Sequence, residues 1–209
     1  MAPVFLSIFL AGLFLLLLFL LHFLKPELDP KWRMISEYEI GRFGWLMRLA
    51  FFAWGAGLLA LLVALWPSLL PVSGLIARAW LIVIVIALFG AGIFKTDPIT
   101  APSQSLVNLL HTVCGAIVIL TFPVAATLAV RSLLHDPRWA AQRSLPAFAT
   151  GLAWFGLIAY FASIVISLRL DPESHALNGP TIYQGWPNRF LVVTYAAWIV
   201  LLAASALRL

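Results

Sequence analysis

The run VFLSIFLAGLFLLLLFLLHFLKPELDP, residues 4–30, decides the fold of this protein. Val4 to Leu24 contains no acidic residue, lysine or arginine, and a helix of roughly 20 apolar residues crosses about 30 Å of hydrocarbon. Lys25 and Asp29-Pro30 follow, and they are typical of a helix end and a turn. The run therefore predicts a membrane-spanning helix. It lacks the basic leader and the small-residue cleavage site of a signal peptide, so we interpret it as a permanent anchor.

The composition of the whole chain agrees with that first run. Of 209 residues, 63% are hydrophobic and only 10% are charged, with 13 Lys and Arg against 8 Asp and Glu. Soluble domains average about 45–50% apolar and about 25% charged residues. The composition excludes a soluble globular domain and a disordered chain. The absence of a Lys/Arg run also excludes a nucleic-acid partner.

Six apolar stretches account for almost the entire length. Long apolar runs without two-residue alternation are helices, because hydrocarbon leaves no backbone hydrogen bond unpaired. We predict an all-α integral membrane bundle of six transmembrane helices arranged as three helical hairpins. It forms a single transmembrane domain over residues 1–209, with an interfacial loop at 25–44. The predicted spans are residues 4–24, 45–66, 75–94, 106–130, 147–168 and 190–207.

The predicted hairpins share recurring sequence patterns at the ends of their helices. A basic residue followed by Asp-Pro closes the first, third and fifth spans, and the aspartates Asp29, Asp97 and Asp171 are 68 and 74 positions apart. The second and sixth spans open on the same pattern, G-W-x-x-R, at residues 44–48 and 185–189. Two interpretations stay open: an internal threefold hairpin repeat, or helix-end chemistry that arose independently at each position.

Polar residues gather at one end of the predicted bundle, which we call side B. Side B carries the loops 25–44, 95–105 and 169–189, and side A carries both termini and the other two loops. Seven of the eight acidic residues fall on side B, and the exception is Asp136. The central third of every span lacks charge, which argues against an ion-coupled transporter. Side B has eight Lys and Arg against five on side A, which favours side B as the cytoplasmic side. The eight are interleaved with seven acids, whereas the basic residues of side A are nearly unopposed, so both orientations stay open. The acids on side B are Glu27, Asp29, Glu37, Glu39, Asp97, Asp171 and Glu173.

Several blocks resemble a known family. The most specific is S-E-Y-x-x-G-x-x-G-W, which begins at Ser36 and ends at Trp45. It is supported by G-I-F-K-T-D-P at residues 92–98, by His111, and by N-R-F from Asn188. Over nearly the whole chain the sequence resembles the family called domain of unknown function 998. The resemblance implies a bacterial or archaeal multi-pass membrane protein and supplies no activity.

The candidate site lies on side B. We expect Glu37 and Tyr38 to cap a polar pocket that receives the other candidate side chains. Two arginines bracketed by carboxylates can hold a lipid phosphate or another anionic head group in bidentate fashion. The alternative is that the same residues form ion pairs that join the hairpins at the water boundary. The candidates are Glu37, Tyr38, Arg48, Asp97, His111, Tyr183 and Arg189.

Other chemistries have weaker support in the sequence. His22 and His111 are predicted at similar depth, as a bis-histidine haem requires, but side A offers only His135 for a second pair. No H-x-x-x-H or H-E-x-x-H spacing is present, so we predict no metal site. The single cysteine, Cys114, lies within a span, where a thiol stays protonated and inert.

The sequence therefore favours a non-enzymatic component of the prokaryotic cytoplasmic (inner) membrane. It would bind a lipid or amphipathic ligand in the polar side-B pocket that Glu37 and Tyr38 are expected to cap, or serve as an accessory subunit of a larger membrane complex. Its expected partners are membrane lipid, other proteins or further copies of the chain. No cofactor other than bound lipid is expected. The alternative from another class is a lipid-modifying membrane enzyme that uses His111 with Asp97 or Glu37.

Overall fold

A computed structural model describes residues 1–70, 72–171 and 179–209. The described residues are helical or irregular, without a strand. Short 3₁₀ helices lie at Ile35–Glu39 and Trp66–Ser68. The α-helices are α1 (Ala2–Leu24), α2 (Gly44–Leu65), α3 (Val72–Ile93), α4 (Leu106–Leu133), α5 (Pro137–Ala141), α6 (Ser144–Leu170) and α7 (Gly185–Ala206).

Six of these helices are long and apolar enough to cross a membrane: α1, α2, α3, α4, α6 and α7. The all-α, six-span prediction is confirmed. The last span begins at Gly185, earlier than predicted, so Arg189 belongs to the first turns of α7. The short helix α5 was not predicted. Its aspartate N-cap, Asp136, accepts a hydrogen bond from the Arg138 backbone N–H.

The six long helices form a ring in chain order, and α7 closes it against α1. Each helix packs most extensively against its hairpin partner, so the three predicted hairpins, α1–α2, α3–α4 and α6–α7, are the units of the bundle. The smallest contact between neighbours in the ring is the one between α4 and α6. We call that contact the α4–α6 seam.

A proline in the middle of α4 leaves a backbone carbonyl without its helical donor, and a side chain on α7 supplies the missing hydrogen bond. Pro123 has no backbone N–H, so the carbonyl of Ile119 loses its helical donor. The hydroxyl of Tyr195, on α7, donates a hydrogen bond of 2.7 Å to that carbonyl oxygen. The Tyr195 ring also stacks on Phe122, with centroids 4.3 Å apart. The orphaned carbonyl is therefore satisfied within the membrane, where an unpaired polar group is costly.

Candidate functional site

The loop between α1 and α2 folds back over the side-B end of the bundle. Its 3₁₀ helix, Ile35–Glu39, buries Glu37, Tyr38 and Glu39 together. A 3₁₀ helix has three residues per turn, so three successive side chains point about 120° apart. Each of these three side chains therefore meets a different part of the protein. The loop is an integral cap of the bundle rather than a segment lying loose at the interface.

Tyr38 faces Arg189, whose side chain is only 4% exposed. The guanidinium donates hydrogen bonds to the Tyr38 hydroxyl at 2.8 Å, to His22 Nε2 at 2.8 Å and to the Arg33 carbonyl oxygen at 2.6 Å. Within the described ranges no carboxylate lies within ion-pair distance of Arg189. Arg189 therefore joins α7, α1 and the loop through neutral acceptors.

Glu39 faces the start of the α3–α4 connection. Its Oε2 accepts a hydrogen bond of 3.1 Å from the Thr96 backbone N–H and lies 3.6 Å from Nδ1 of His111. Burial raises the pKa of Glu39 to about 7 and outweighs the opposing effects of the Thr96 N–H and the positive charges of Arg48 and Lys95. Near neutral pH this carboxyl group is therefore present in both protonation states.

Glu37 faces a third set of neighbours. Its Oε1 lies 2.5 Å from Arg33 Nη1, four residues earlier, and accepts a hydrogen bond of 2.9 Å from the Ile99 backbone N–H. Its Oε2 is buried and has no partner among the residues that the structure describes. A buried acceptor without a donor costs free energy, so Glu37 has a remaining capacity to accept a hydrogen bond.

The α3–α4 connection is organised by Asn108 and Asp97. Asn108 Oδ1 accepts hydrogen bonds of 2.9 Å from both the Thr96 hydroxyl and the Asp97 backbone N–H. Asp97 Oδ2 accepts a hydrogen bond of 2.6 Å from the Ser105 backbone N–H. Hydrogen bonds from the Ser105 backbone and side chain hold the pKa of Asp97 below its usual value. Asp97 is therefore ionised at neutral pH.

A cavity of about 530 Å³ lies beneath this cap. Its side-B end is polar and its deeper part is apolar. Ligand pockets typically measure about 300–1,000 Å³ and combine mostly apolar walls with a few polar groups. The polar wall includes Ser36, Glu37, Thr96, Asp97, Gln104, Asn108, His111, Thr112, Gln184 and Asn188. The apolar wall includes Phe51, Trp54, Leu88, Val118, Ile119, Leu120, Phe161 and Val192.

The cavity extends well into the membrane. His111 and Leu120 both line it and are nine residues apart on α4, which corresponds to about 14 Å along a helix. Tyr160 and Phe161 of α6 line it from the other side of the α4–α6 seam. The shape and polarity of the cavity therefore suit a molecule with a polar head on side B and an apolar part that points toward the membrane centre.

The model of a family described as a protein of unknown function, DUF998, matches residues 9–205. The chain belongs to the DUF998 family. No curated protein and no solved structure matches it.

The block that carries the DUF998 resemblance builds the candidate site. Ser36 and Glu37 line the cavity, Tyr38 holds Arg189, and Gly44 starts α2. A Cβ atom on Gly44 would collide with the Glu39 carbonyl oxygen, so glycine is required where the loop turns into α2. In this DUF998 protein the most specific stretch of sequence is thus the cap itself and one wall of the cavity.

The structure separates the seven candidate residues into two groups. Glu37, Asp97 and His111 line the cavity. Four others, Tyr38, Arg48, Tyr183 and Arg189, are not among the described residues that line it. Arg48 is exposed, and its Nε donates to the Gly92 carbonyl oxygen at 2.8 Å. Tyr183 has an exposed side chain, and its backbone N–H donates to Ser167 Oγ. Neither arginine therefore belongs to the described wall of the cavity.

Two histidines, His22 and His111, are held by hydrogen bonds to protein groups. His22 Nδ1 lies 2.7 Å from the Leu18 carbonyl oxygen, and its Nε2 accepts from Arg189. His111 Nδ1 lies 2.7 Å from the Phe94 carbonyl oxygen. Among the described residues no group of three His, Cys, Asp or Glu side chains is arranged to hold a metal ion. Glu173 and His175, which the sequence places on side B, lie outside the described residues.

Sequence reasoning missed several residues of the site. Asn108 and Asn188 organise the connections around the cavity, and Asn188 Oδ1 accepts a hydrogen bond from the Ile35 backbone N–H. In the sequence, Glu39 is distinguished from the other six acidic residues of side B by no pattern of its own. The signal for the two asparagines was their position, because each is a polar residue in the first turns of an otherwise apolar span.

Proposed function

We propose that this DUF998 protein binds one amphipathic molecule, a membrane lipid or a lipid-like compound, in the cavity beneath the side-B cap. The head would lie beside Glu37, Asn108 and His111, and the hydrocarbon part would lie against Trp54 and Leu120. The observation that carries the proposal is the polarity of the cavity, which is polar at the membrane boundary and apolar at depth. We assign this activity to a protein of the prokaryotic cytoplasmic membrane.

Two glycines allow a matched test. Gly115 lines the cavity, and an added Cβ atom would meet nothing within 4 Å. Gly151, on α6, is equally open but is not one of the lining residues. Gly115→Phe places a ring in the cavity without a backbone clash, and Gly151→Phe adds the same ring elsewhere.

The measurement is native mass spectrometry of protein purified in mild detergent. We expect the wild type and Gly151→Phe to retain a lipid-sized mass and Gly115→Phe to lose most of it. Equal retention by all three proteins would show that the retained molecule does not occupy the cavity. Melting temperatures measured in parallel verify that both variants fold.

The positions of three side chains favour a second candidate function, that of a lipid-modifying enzyme. His111, Asp97 and Glu37 all line the same cavity, as a lipid-modifying enzyme that uses these three groups requires. The same mass spectra test it. An enzyme would convert an added lipid to a product of different mass, and His111→Gln would stop that conversion. An unchanged lipid mass supports binding alone.

A further inference from the structure

We propose that the head group bound in the cavity donates hydrogen bonds and carries no negative charge, as a primary ammonium or a hydroxyl group does. This inference rests on the proposed function, since it concerns the same cavity. It differs from the phosphate-type head group expected from the sequence. It is drawn from the charges and the unpaired acceptor of the cavity wall.

The charge of the wall disfavours an anion. Among the described residues that line the cavity there are two carboxylates, Glu37 and Asp97, and neither lysine nor arginine. Asp97 is ionised, as shown above. The two arginines expected to hold a phosphate are engaged elsewhere, Arg48 with the Gly92 carbonyl and Arg189 with Tyr38 and His22. Arg33 already pairs with Glu37 at 2.5 Å, so no lysine or arginine in the described cavity wall is left to pair with a phosphate. The ionised Asp97 would repel a phosphate, because like charges at close range repel each other.

The hydrogen-bonding state of Glu37 favours a donor. Arg33 and the Ile99 N–H occupy Oε1, whereas Oε2 is buried without a partner in the described part of the chain. The Glu37 side chain is only 3% exposed, so bulk water is a poor source of that partner. Oε2 has almost no accessible surface, so the carboxylate has to rotate toward the cavity before a ligand N–H or O–H can satisfy it. The resulting hydrogen bond to a carboxylate is stronger than one between neutral groups.

His111 is compatible with the same head group. Its Nδ1 lies against the Phe94 carbonyl oxygen at 2.7 Å, so in the neutral ring the proton sits on Nδ1 and Nε2 is an acceptor. His111 is one of the residues that line the cavity. The residues at the polar end therefore include two side chains that carry an acceptor atom, Glu37 and His111, on different elements.

The test compares three probes that share a brominated 12-carbon chain and differ only in the head: primary amine, alcohol and phosphate. The protein is reconstituted in phosphatidylcholine nanodiscs. Bromine quenches tryptophan fluorescence on contact, and Trp54 lines the apolar part of the cavity. The difference in quenching between wild type and Trp54→Phe isolates the cavity from probe dissolved in the bilayer.

We expect saturable, Trp54-dependent quenching by the amine and the alcohol, and binding of the phosphate weaker by about tenfold or more, the effect of one charge-assisted hydrogen bond. Phosphate binding equal to or tighter than amine binding would overturn the head-group inference and leave the proposed function standing. The absence of Trp54-dependent saturation with all three probes would overturn the proposed function itself. The comparison among probes needs no substitution at the head-group site.

A variant then tests the role of Glu37. Glu37→Gln keeps the size of the side chain but removes its charge, and we expect it to weaken amine binding by about tenfold while changing alcohol binding less. Asp136→Asn is the matched control, because Asp136 also pairs with a nearby arginine, Arg138, but lies on side A. Unchanged amine binding by a folded Glu37→Gln variant would contradict the assignment of Glu37 as the head-group acceptor.

Discussion

At the scale of single residues, the two G-W-x-x-R arginines show how one motif serves two environments. Arg48 is exposed and donates to a single carbonyl on α3. Arg189 is buried, and it is the shared donor of α1, α7 and the cap. The Tyr38 ring also lies 5.1 Å from the Arg189 guanidinium carbon, close enough for a cation–π contact. The difference follows from the loop, which folds over α7 and leaves Arg48 outside.

Glu39 gives a prediction about pH. Its pKa in the folded protein, about 7, lies above the ordinary value of 4.5. The folded state therefore binds the proton more tightly than the unfolded state. The stabilisation from this group is present at low pH and is lost as the pH rises from about 4.5 to about 7. We expect the free energy of unfolding to fall over that range by an amount on the order of 3 kcal/mol, since one pKa unit corresponds to about 1.4 kcal/mol.

The measurement is denaturant unfolding in detergent micelles across that pH range, with Glu39→Gln as the comparison. His111, Arg48 and Lys95 also face Glu39, and the variant retains all three. The difference between the two pH profiles therefore isolates the carboxyl group. Parallel profiles for wild type and variant would contradict the assignment.

At the scale of elements, the glycines of the two G-W-x-x-R motifs have the same cause. A Cβ atom on Gly185 would lie 2.7 Å from the Arg33 carbonyl oxygen and 2.9 Å from the Trp32 backbone nitrogen. The Gly185 N–H also donates to the Lys31 carbonyl oxygen at 3.0 Å. Both spans therefore begin with glycine because the backbone of the cap passes directly over their first residue.

Substitution of Gly185 tests this approach of backbone to backbone. Gly185→Ala is expected to lower the free energy of unfolding by about 1–3 kcal/mol, because the cap or α7 has to move. Gly151→Ala is the control, since its site is open, and it should raise stability slightly because alanine is the better helix former. Both are measured by denaturant unfolding in micelles. Equal changes in the free energy of unfolding for the two variants would show that the cap moves aside without an energetic cost.

The Asp-Pro dipeptide has a local structural explanation at two positions. Asp29 Oδ1 accepts from the Lys31 backbone N–H, and Asp136 Oδ1 accepts from the Arg138 backbone N–H, both at 2.9 Å. Asp136 lies outside the proposed repeat, yet its geometry matches that of Asp29. Asp97 instead accepts from Ser105, eight residues later. These contacts favour helix-end chemistry as the origin of the dipeptide.

At the scale of the whole molecule, the α4–α6 seam is the least extensively packed junction between neighbours in the ring. The cavity under the cap reaches the seam from side B. A groove lined by Thr127, Val130, Arg131, Leu134 and His135 of α4 and its C-terminal end, with Ala147 and Thr150 of α6, follows it on side A. One described side-chain hydrogen bond, from Trp154 Nε1 to Thr127 Oγ1 at 3.0 Å, crosses the seam between them. We expect a molecule dissolved in the bilayer to reach the cavity through this seam.

A cross-link across the seam tests that route. In a Cys114→Ala background, Thr127→Cys with Trp154→Cys allows a short bifunctional maleimide to join α4 to α6. We expect the brominated amine to associate with the cavity at least about tenfold more slowly after cross-linking, because lateral opening is blocked. The same double variant without the cross-linker is the control. An unchanged association rate would indicate access from the water side of the cap.

The spans and hairpins could be predicted because hydropathy and span length are properties of contiguous sequence. The contents of the site could be predicted only in part. Glu37 and Tyr38 are recognisable in the sequence as polar residues in a long loop. The different neighbours that each of them contacts, however, depend on the 3₁₀ geometry of Ile35–Glu39. The burial of Glu39 depends on Thr96, 57 positions away, and no local pattern encodes such a contact.

The hydrogen bond from Tyr195 to the Ile119 carbonyl makes two distant positions dependent on one another over evolutionary time. While Pro123 is present, replacing Tyr195 with phenylalanine leaves a carbonyl unpaired in the membrane. Once Pro123 is replaced by a residue with an N–H, the helix satisfies that carbonyl itself and the tyrosine hydroxyl becomes dispensable. A lineage that loses both residues therefore passes more easily through loss of the proline first.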